Sequence, residues 1–556
     1  MPSPAKPQKA ETDVIGTLMS LTVAFTLAMA FRSFVLEGFV IPTGSMGPTL
    51  MGAHVRLRSP ATGYEYPADS STAIGMLVHG DQRQMPIYDP MLSLRDPIGM
   101  APPVALASQT RAGDRVLVLK PLYLVSDPKR WDVVVFKNPA DPVGASQNFI
   151  KRMVGLPNET LVLLDGDVFT GPPDAAPAAL RVARKPEHVQ RAVWQPVHDS
   201  DWQPVVPAEA LDSALRAKWD GGPWRSESTG WTLSPSRKWS HAAGTAALRW
   251  DVQDWPIDDL NTYNLLRHSF DASRRWPKGI GDPGARQEYA FATSDLRLAT
   301  AIDCSDIRGF RTTFSLRARS RVFQFTVAGA GQVSCSITDA DSGEPLGSSE
   351  ASFAPRADGF MALEFWHVDQ QLWIFVNGRI ALQMPYDYAS LDQRLLCSHV
   401  GRTVEQYQRR PAETRAPTPP QLAWSFDSAA PFTLHRVRVD RDLYYRPVLH
   451  DANNQFPSNG EYLSGPGLGC DYANPARLGP TDYMMLGDNS GASRDSRMWG
   501  RAHPLTLRTF GDAQPGIVPE SMIVGKAFSV YFPAPISMSP GGTAFIPDFG
   551  RVRFIR

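Results

Sequence analysis

Two side chains of this sequence could act together as a nucleophile and its base. Ser45 lies in the segment IPTGSMGPTL (41–50), where two glycines and two prolines restrict the backbone. Lys151 lies in the segment NFIKRMVGLPNET (148–160), with apolar neighbours on both sides. A serine hydroxyl is a weak nucleophile until a base accepts its proton. A lysine can be that base if burial lowers its pKa from about 10.4 to about 7–8, at a cost of roughly 3–5 kcal/mol.

The two residues alone do not establish that Lys151 is the base for Ser45, or that Lys151 is buried. The chain has 11 histidines, but none lies inside the segments that look most like motifs, so a Ser-His-Asp triad has no support beyond composition. In a strand, Lys151 and Arg152 would point to opposite faces. The local pattern alone favours a surface lysine on an edge strand.

The totals describe an ordinary globular protein with more than one core. The 556 residues are too many for one core, so about two or three domains are expected. Charge is balanced, with 56 basic and 56 acidic side chains, and no nucleic-acid partner is predicted. The four cysteines form no CxxC pair, which argues against a zinc site. Their number is compatible both with one or two disulfides and with buried free thiols.

An apolar segment near the N-terminus predicts a membrane anchor. Residues 1–13 are polar and are expected in the cytoplasm, and VIGTLMSLTVAFTLAMAF (14–31) follows without a charge. A bilayer requires roughly 20 residues, so residues 14–35 are predicted to span it once. The competing interpretation is a cleavable signal peptide, for which Ala28 and Ala30 supply an A-x-A-like pattern. The acidic residues before the apolar run, and its length, favour an uncleaved anchor with the rest of the chain outside the cytoplasm.

Changes in composition divide the remaining chain into zones. Residues 36–171 carry strand-like runs and are predicted to form the first half of a catalytic core, interrupted by a polar insertion at 53–110. Residues 172–285 are rich in Trp, Pro and Arg and are predicted to be irregular, with tryptophans that serve mainly as buried anchors. Residues 446–535 are expected to complete the core, and 536–556 form a Pro/Gly-rich tail.

Residues 286–445 are predicted to form an inserted β-sandwich. Short alternating strands and turn residues recur there without a helical period. In VDQQLWIFVNGRIAL (368–382) an Asn-Gly turn joins two strand-like runs, which indicates a hairpin. This hairpin resembles those of concanavalin-A-like or laminin-G-like sandwiches. The fold alone assigns no ligand, so a glycan ligand, a protein ligand and a spacer role all stay open.

Five segments in a fixed order carry a resemblance to a known family. They are IPTGSMGPTL (41–50), GDRVLVLK (113–120), WDVVVFKNP (131–139), FIKRMVGLPNET (149–160) and GDNSGASRDSRMWG (487–500). Together with the N-terminal anchor, they resemble the signature boxes of bacterial type I signal peptidase, a membrane-bound Ser/Lys protease that removes signal peptides from exported proteins. The long insertions are similar to those of planctomycete members. The implied fold is mainly β, with an N-terminal transmembrane helix, a signal-peptidase-type β core and the inserted sandwich.

The resemblance implies a role for each residue that matches a box. Ser45 matches the nucleophile, Lys151 the general base, and Ser493 the serine that orients the lysine amine. Thr43 and the Ser45 N–H match the donors to the oxyanion. The residues that match structural supports of the site, with an Asp–Arg pair expected among them, are Asp488, Asp495 and Arg497. The residues that match positions lining shallow pockets for small side chains are Phe39, Ile41, Met46, Leu50, Phe149 and Ile150.

The implied activity is cleavage of preproteins after small residues in an A-x-A pattern, without a metal or a cofactor. The substrate is expected to lie extended along residues 37–40 and 148–150. The implied location is the bacterial inner membrane, with an extracytoplasmic catalytic part and with signal peptides and the lipid bilayer as partners. The sequence departs from the family at residues 490–492, which read Ser-Gly-Ala where many members carry charged or Asn residues. It also requires the 53–110 insertion to fold away from the cleft.

Two rival functions remain at this level. A membrane-tethered binding protein would use the sandwich and the Trp-rich insert on an inert peptidase scaffold, although an intact Ser45, Lys151 and Ser493 argue against inertness. A Ser/Lys protease that cleaves itself agrees poorly with an anchor and an extracytoplasmic location. The sequence leaves open which preproteins are cut, what the insertions do and how many copies assemble.

Overall fold

The structure of the protein is a computed structural model, and it begins with the predicted apolar helix. The described residues are 14–92, 97–141, 146–204, 222–233, 238–266, 291–356, 358–398, 419–450, 465–500, 502–510, 515–537 and 544–556. The helix Val14–Phe34 exposes almost all of its side chains, and Val14–Arg32 is long and apolar enough to cross a membrane. The polar segment 1–13 lies outside the described ranges.

The helix leads directly into an antiparallel sheet that we call the core sheet. Alternating apolar residues direct Val116, Val118, Val133 and Val135 to one side, where they pack with Ile150 in a buried cluster. The chain is mainly β, as predicted. In spatial order the strands of the core sheet are Leu36–Val40, Arg115–Leu119, Ile523–Phe532, Val133–Lys137, Asn148–Gly155, Asp482–Leu486 and Val518–Pro519, and Arg553–Phe554 pairs with Ile523–Phe532.

A second, smaller sheet joins chain segments that lie before and after the sandwich. Leu161 pairs with Ala476 across it, although a long insertion separates them in sequence. The strands of this small sheet, in spatial order, are Arg181–Val182, Asp167–Gly171, Glu159–Leu164 and Ala476–Leu478. Further short elements are the helices Leu122–Val125, Glu187–Val193, Leu391–Ser398 and Pro504–Phe510, and the strand pairs Leu449–His450 with Gly465–Pro466 and Ile536–Ser537 with Ala544–Ile546.

The 53–110 insertion is a small subdomain with its own apolar cluster. Its core residues Val55, Tyr66 and Met76 pack with Leu265 and Leu266, which come from a distant part of the chain. Its elements are the strand pairs His54–Arg58 with Glu65–Asp69 and Met85–Ile87 with Gly99–Ala101, and the helices Ser71–Val78 and Pro103–Ser108.

The predicted β-sandwich is present as two antiparallel sheets packed face to face. Phe314 and Phe365, one from each sheet, stack with ring centroids 5.9 Å apart inside a large apolar core. The first sheet contains Trp231–Leu233, Trp239–His241, Phe432–Arg441, Leu296–Cys304, Phe360–Val368, Gln371–Val376 and Arg379–Pro385, with Gln195–Asp199 also paired to Phe432–Arg441. The second contains Trp224–Ser226, Gly244–Trp250, Gln421–Ser428, Arg311–Ala318, Arg321–Ala328, Gln332–Asp339 and Pro345–Ser352.

The prediction that residues 172–285 are irregular is wrong for much of this zone. Strands between Gln195 and Trp250 extend both sheets of the sandwich, so the sandwich begins well before residue 286. Most of these strands have three to five residues, too few to display a period of two, and partners more than 150 residues away stabilise several of them. The prediction that the tryptophans serve as buried anchors is confirmed for Trp194, Trp224, Trp239, Trp250 and Trp255.

Two smaller features of the sandwich also follow the sequence. Asn377 and Gly378 have φ values of 51° and 75° and join Gln371–Val376 to Arg379–Pro385, so the predicted Asn-Gly hairpin is confirmed. The four cysteines are free thiols, three of them buried, which decides between the two alternatives that their number left open.

Buried ion pairs attach the sandwich to the small sheet. Arg319 Nη1 is 2.5 Å from Asp295 Oδ1 within the sandwich, and Arg319 Nε is 2.9 Å from Asp165 Oδ2 at the edge of the small sheet. Arg394 Nη2 lies 3.1 Å from Asp167 Oδ2 on the same sheet. The sandwich is therefore fixed to the small sheet by charged groups that little solvent reaches.

Candidate active site

The predicted nucleophile and base are in direct contact. Lys151 Nζ donates a hydrogen bond of 2.7 Å to Ser45 Oγ, and a second one of 3.1 Å to the carbonyl oxygen of Ile150. Lys151 is 4% exposed and Ser45 is 9% exposed, so bulk water has little access to either group. This contact joins two segments that are far apart in the sequence.

Lys151 is a buried amine without a carboxylate partner. Burial lowers its pKa from the usual 10.5 to about 8, although the more distant charges of Asp495 and Asp488 oppose the shift. Among the described residues, no acidic side chain forms an ion pair with it. A substantial fraction of this lysine is therefore neutral near pH 8 and able to accept a proton.

The strand Asn148–Gly155 positions the base through its alternation. Its pairing with Val133–Lys137 on one side and Asp482–Leu486 on the other fixes its register. Lys151 points to Ser45, whereas Arg152 points to the other face and donates to Asp488 Oδ1 at 2.8 Å and Oδ2 at 2.7 Å. The predicted opposite orientation of these two neighbours is confirmed.

The acidic residues of the segment 487–500 are engaged by arginines. Asp488 pairs with Arg152, and Asp495 pairs with Arg497 at 2.6 Å, with all four side chains fully buried. Asp495 Oδ2 also accepts a hydrogen bond of 3.0 Å from the Gly487 N–H. Because arginine neutralises each carboxylate, neither one forms an ion pair with the lysine amine.

Ser45 lies in a short 3-10 turn, Gly44–Met46, whose own hydrogen bond does not use the Ser45 N–H. The Ser45 carbonyl accepts a hydrogen bond of 3.1 Å from the Asn489 N–H, and the Gly47 N–H donates to the Gly44 carbonyl at 2.9 Å. Within the described part of the chain, no acceptor contacts the Ser45 N–H. Thr43, immediately before the turn, is exposed. Both predicted oxyanion donors therefore remain free to meet a ligand.

Ser493 does not contact the lysine in the way that the family resemblance implies. Its hydroxyl is buried, and no hydrogen-bond partner for it lies in the described part of the structure. The Ile150 carbonyl, rather than Ser493, supplies the second contact to Lys151 Nζ. The orienting role of Ser493 stays a prediction.

The six residues predicted to line the substrate pockets differ in burial, and their role stays a prediction. Met46 and Leu50 are completely buried, and Ile41 is 2% exposed, because they fill the apolar cluster beneath the Ser45 turn. Phe39 and Phe149 are partly exposed, and Phe149 lies 5.1 Å from Lys151 Nζ. Ile150 is nearly buried. Of the six residues, Phe39 and Phe149 are therefore the most exposed.

The site also includes residues that the sequence argument did not assign. Trp499 packs against Phe149 with ring centroids 6.1 Å apart. Asn489 contacts the Ser45 turn twice, through its N–H and its side chain, and its place in the Gly-Asp-Asn segment was a usable signal. Asn264 is bonded to Asn489, but nothing in its irregular sequence surroundings indicates this.

One cluster of three acidic residues is close enough together to bind a cation, but basic side chains already neutralise its negative charge. Carboxylate oxygens of Asp167, Asp295 and Asp369 approach one another within 4.8 Å. Arg319 is within ion-pair distance of the first two, and Lys185 binds the third, so basic side chains already balance these acids. We assign no metal to this cluster.

The described chain thus combines a mainly β fold with a buried lysine whose amine contacts a serine hydroxyl. A profile of the family described as "Signal peptidase, peptidase S26" matches residues 103–191 and 433–532, which include Lys151 and the segment 487–500. The match confirms the resemblance to type I signal peptidase. Ser45 lies outside both matched ranges. The unmatched residues 192–432, between the two ranges, contain most of the sandwich.

Similar proteins support the same family over a limited part of the chain. Signal peptidase I of Pseudomonas aeruginosa is 29% identical over 136 residues, and that of Pseudomonas fluorescens is 27% identical over 136 residues. Each match covers 24% of this chain and 30% of the relative, so the chain spans less than a third of the length of these relatives.

The solved structures that resemble part of the chain are β-sandwiches, and their TM-scores are low. The carbohydrate binding module CBM66 from Bacillus subtilis has a TM-score of 0.22 and 9% identity, covering 39% of this chain and 95% of the module. The Caenorhabditis elegans galectin LEC-6 has a TM-score of 0.17 and 16% identity, covering 27% of this chain and 84% of the galectin. We draw no conclusion about a ligand from likenesses at this level.

Proposed function

We propose that this protein is a membrane-anchored serine endopeptidase that removes signal peptides from exported preproteins. The observation that carries the proposal is the 2.7 Å contact between Lys151 Nζ and Ser45 Oγ, in a chain whose flanking segments match signal peptidases. A lysine with a pKa of about 8 is suited to act as a base near neutral pH. Ser45 is the nucleophile, and Lys151 is the general base.

The reaction divides into two steps that share the same proton acceptor. Neutral Lys151 accepts the Ser45 proton while Ser45 Oγ attacks the carbonyl carbon of the scissile bond. The lysine then donates this proton to the leaving amine, which departs and leaves an acyl-enzyme. Water, deprotonated by the same lysine, attacks the ester and releases the signal peptide with Ser45 restored.

Two donors of the Ser45 turn would stabilise the charge that develops on the carbonyl oxygen. The Ser45 N–H has no acceptor in the described structure, and the Thr43 hydroxyl is on an exposed residue beside it. Donors that already point at the oxyanion act without reorganisation during the reaction. They contribute to kcat more than to substrate affinity.

The substrate would bind as an added strand beside the site. In the described chain, Leu36–Val40 is the edge strand of the core sheet, and the first residues of Asn148–Gly155 pair on one side only. An extended peptide could pair with either edge, with small residues of an A-x-A pattern near Phe39 and Phe149. A larger side chain at the last residue before the cleaved bond would meet these rings.

The proposed location follows from the helix that precedes the site. Val14–Phe34 ends two residues before the edge strand begins, so a helix in the bilayer would hold the cleft at the membrane surface. We infer a single-pass protein of the bacterial inner membrane with its catalytic region outside the cytoplasm, where signal peptides emerge. We also infer that the sandwich is an insertion within the catalytic domain.

The test is cleavage of a purified preprotein with an A-x-A site by the full chain in detergent. The wild type should cut after the second small residue, and Ser45→Ala and Lys151→Ala should not. A matched preprotein with Phe in place of the last Ala should resist cleavage. Equal processing by wild type and either variant would contradict the proposal, and so would a cut at another position.

A further inference from the structure

A turn from the inserted region reaches the Ser45 turn. The sandwich strands Gly244–Trp250 and Leu296–Cys304 are joined by a long connection, within which Thr262–Asn264 forms a 3-10 turn capped by Asn261. This capped turn (261–264) lies against the backbone of residues 44–47. No box of the family resemblance includes it.

The aromatic ring of the capped turn occupies space that two glycines leave open. Tyr263 is completely buried. A Cβ atom at Gly44 would lie 2.3 Å from Tyr263 Cε1, and a Cβ atom at Gly47 would lie 2.8 Å from Tyr263 Cδ1. The glycines on both sides of Ser45 are therefore matched to this ring, since any side chain there would collide with it.

Two asparagines form a reciprocal amide pair behind the nucleophile. Asn264 Nδ2 donates to Asn489 Oδ1 at 2.7 Å, and Asn489 Nδ2 donates to Asn264 Oδ1 at 2.9 Å. The same Asn489 Nδ2 also donates to the Gly44 carbonyl at 2.9 Å. Asn261 Nδ2 donates to the Gly47 carbonyl at 2.8 Å. The capped turn thus holds the Ser45 turn at both ends, once directly and once through Asn489.

The bond to the Gly44 carbonyl controls the direction of the Ser45 N–H. These two groups belong to one planar trans peptide unit, so they point in opposite directions. A donor that holds the carbonyl on one side keeps the N–H directed to the other. The Gly47 N–H is one such donor, at 2.9 Å, and Asn489 Nδ2 is the other. The Asn489 amide can present its nitrogen to Gly44 because Asn264 bonds both ends of the amide.

Buried charged groups brace the capped turn from behind. Arg446 binds both carboxylate oxygens of Asp259, two residues before the cap, and its backbone N–H donates to Ser490 Oγ at 2.8 Å. Arg441 Nη2 donates to the carbonyl of Leu260 at 2.9 Å. The turn is therefore attached both to the chain that follows the sandwich and to the segment that carries Asn489.

We propose that Asn264 is a positioning residue that acts through Asn489 to aim the Ser45 N–H at the oxyanion, so that the insertion completes the active site. This inference rests on the proposed peptidase function. The inserted region then serves catalysis from within the chain and is more than a spacer or a separate binding module. Asn264 bonds both ends of the Asn489 amide, whereas Asn261 makes only a longer contact of 3.3 Å to Asn489 Oδ1. Tyr263 packs against the glycines of the Ser45 turn.

The kinetic test compares Asn264→Ala, Asn489→Ala and the double variant on the A-x-A preprotein. Loss of a donor's orientation in the oxyanion site should lower kcat of Asn264→Ala by roughly 10- to 100-fold, with KM within about twofold of wild type. Because Asn264 acts through Asn489, the double variant should be no slower than Asn489→Ala, within about twofold. The pH profile of Asn264→Ala should keep the wild-type midpoint, since Lys151 is untouched.

A control variant separates positioning from general destabilisation. Thr312→Val removes a buried hydrogen bond to the Trp424 indole inside the sandwich, and it should leave kcat unchanged. Wild-type kcat in Asn264→Ala would overturn the inference. Multiplicative losses in the double variant, or an equal loss in Thr312→Val, would also overturn it.

A readout without catalysis keeps this inference distinct from the proposed function. Hydrogen exchange of the full chain should be faster in peptides covering residues 41–50 of Asn264→Ala, where the Gly47 N–H bonds the Gly44 carbonyl, and unchanged there in Thr312→Val. Unchanged exchange in Asn264→Ala would contradict the positioning role, even in an inactive protein. An inactive wild type with the expected exchange would remove the peptidase proposal alone.

Discussion

In the described part of the chain, two lysines are buried, and their pKa values shift in opposite directions. Burial lowers the pKa of Lys151 to about 8, and its amine contacts a serine hydroxyl. Burial also acts on Lys185, but the carboxylates of Asp369 and Asp442, 2.6 and 2.8 Å away, outweigh it and raise the pKa. Lys151 lies in the core sheet, whereas Lys185 lies where the small sheet meets the sandwich.

The comparison shows that burial alone does not make a base. The two sites differ in which basic group pairs with the nearby carboxylates. Near Lys151, Arg152 pairs with Asp488 and Arg497 pairs with Asp495. Neither carboxylate therefore forms an ion pair with the Lys151 amine. At Lys185 the carboxylates bind the amine itself and keep it charged. The same residue type is thus a proposed proton acceptor in one place and a structural cation in the other.

The largest expected effect is on catalysis at Lys151. Lys151→Met, which keeps the length of the side chain without its amine, should lower kcat/KM for a preprotein by at least about 10³-fold, because no other base among the described residues contacts Ser45. Its free energy of unfolding should stay equal or rise, since an amine without an ion pair is removed from the interior. Cleavage assays and denaturant unfolding check the two parts. Residual activity above a hundredth of wild type would contradict the assignment of the base.

The opposite result is expected for Lys185→Met. This change leaves Asp369 and Asp442 buried without their cation, and it should lower the free energy of unfolding by about 3–5 kcal/mol. The folded fraction should keep wild-type kcat, because Lys185 has no contact with the site. A control is Lys526→Met, whose pair with Asp132 is partly exposed and should be worth no more than about 1 kcal/mol. Equal destabilisation by the two variants would remove the contrast between the sites.

A smaller effect is expected at Ser493. Its hydroxyl has no partner in the described structure, so Ser493→Ala should lower kcat by less than about tenfold, well below the loss at Lys151. The family resemblance implies a larger loss, because it gives Ser493 the task of orienting the amine. Measured kcat with a fixed preprotein decides between the two, and a loss above a hundredfold would mean that the serine rotates onto Lys151 during the reaction.

The local patterns of the sequence predicted much of this arrangement, and its long-range contacts escaped prediction. Alternation predicted the opposite faces of Lys151 and Arg152, and the Asn-Gly pair predicted its hairpin. The short Trp-rich strands were missed because their partners lie far along the chain. The complete burial of Met46 and Leu50 was not predicted, because a family position does not reveal what packs around it. Asn264 was missed because an amide pair between distant loops leaves no period in sequence.

The same reasoning explains why the buried ion pairs around Lys185, Arg319 and Arg394 were not predicted. Its acids and bases come from the small sheet, the start of the insertion and several sandwich strands. In sequence each one is typical of a solvated surface. They come together only where the small sheet packs against the sandwich. Because water is excluded there, each charged group requires an oppositely charged partner.

The pH dependence of kcat/KM tests the central claim, that neutral Lys151 is the base for Ser45, most directly. Because the protonated amine cannot accept a proton, kcat/KM should fall about tenfold per pH unit below pH 8 and level off above it. Stability follows the same group, since a folded pKa below the unfolded value of 10.5 means that stability rises with pH between about 8 and 10.5, and Lys151→Met should lose this rise. A rate profile with its midpoint near pH 8 is the predicted result. A profile that is flat from pH 6 to 9, or one with a midpoint near the histidine value of about 6.5, would contradict it.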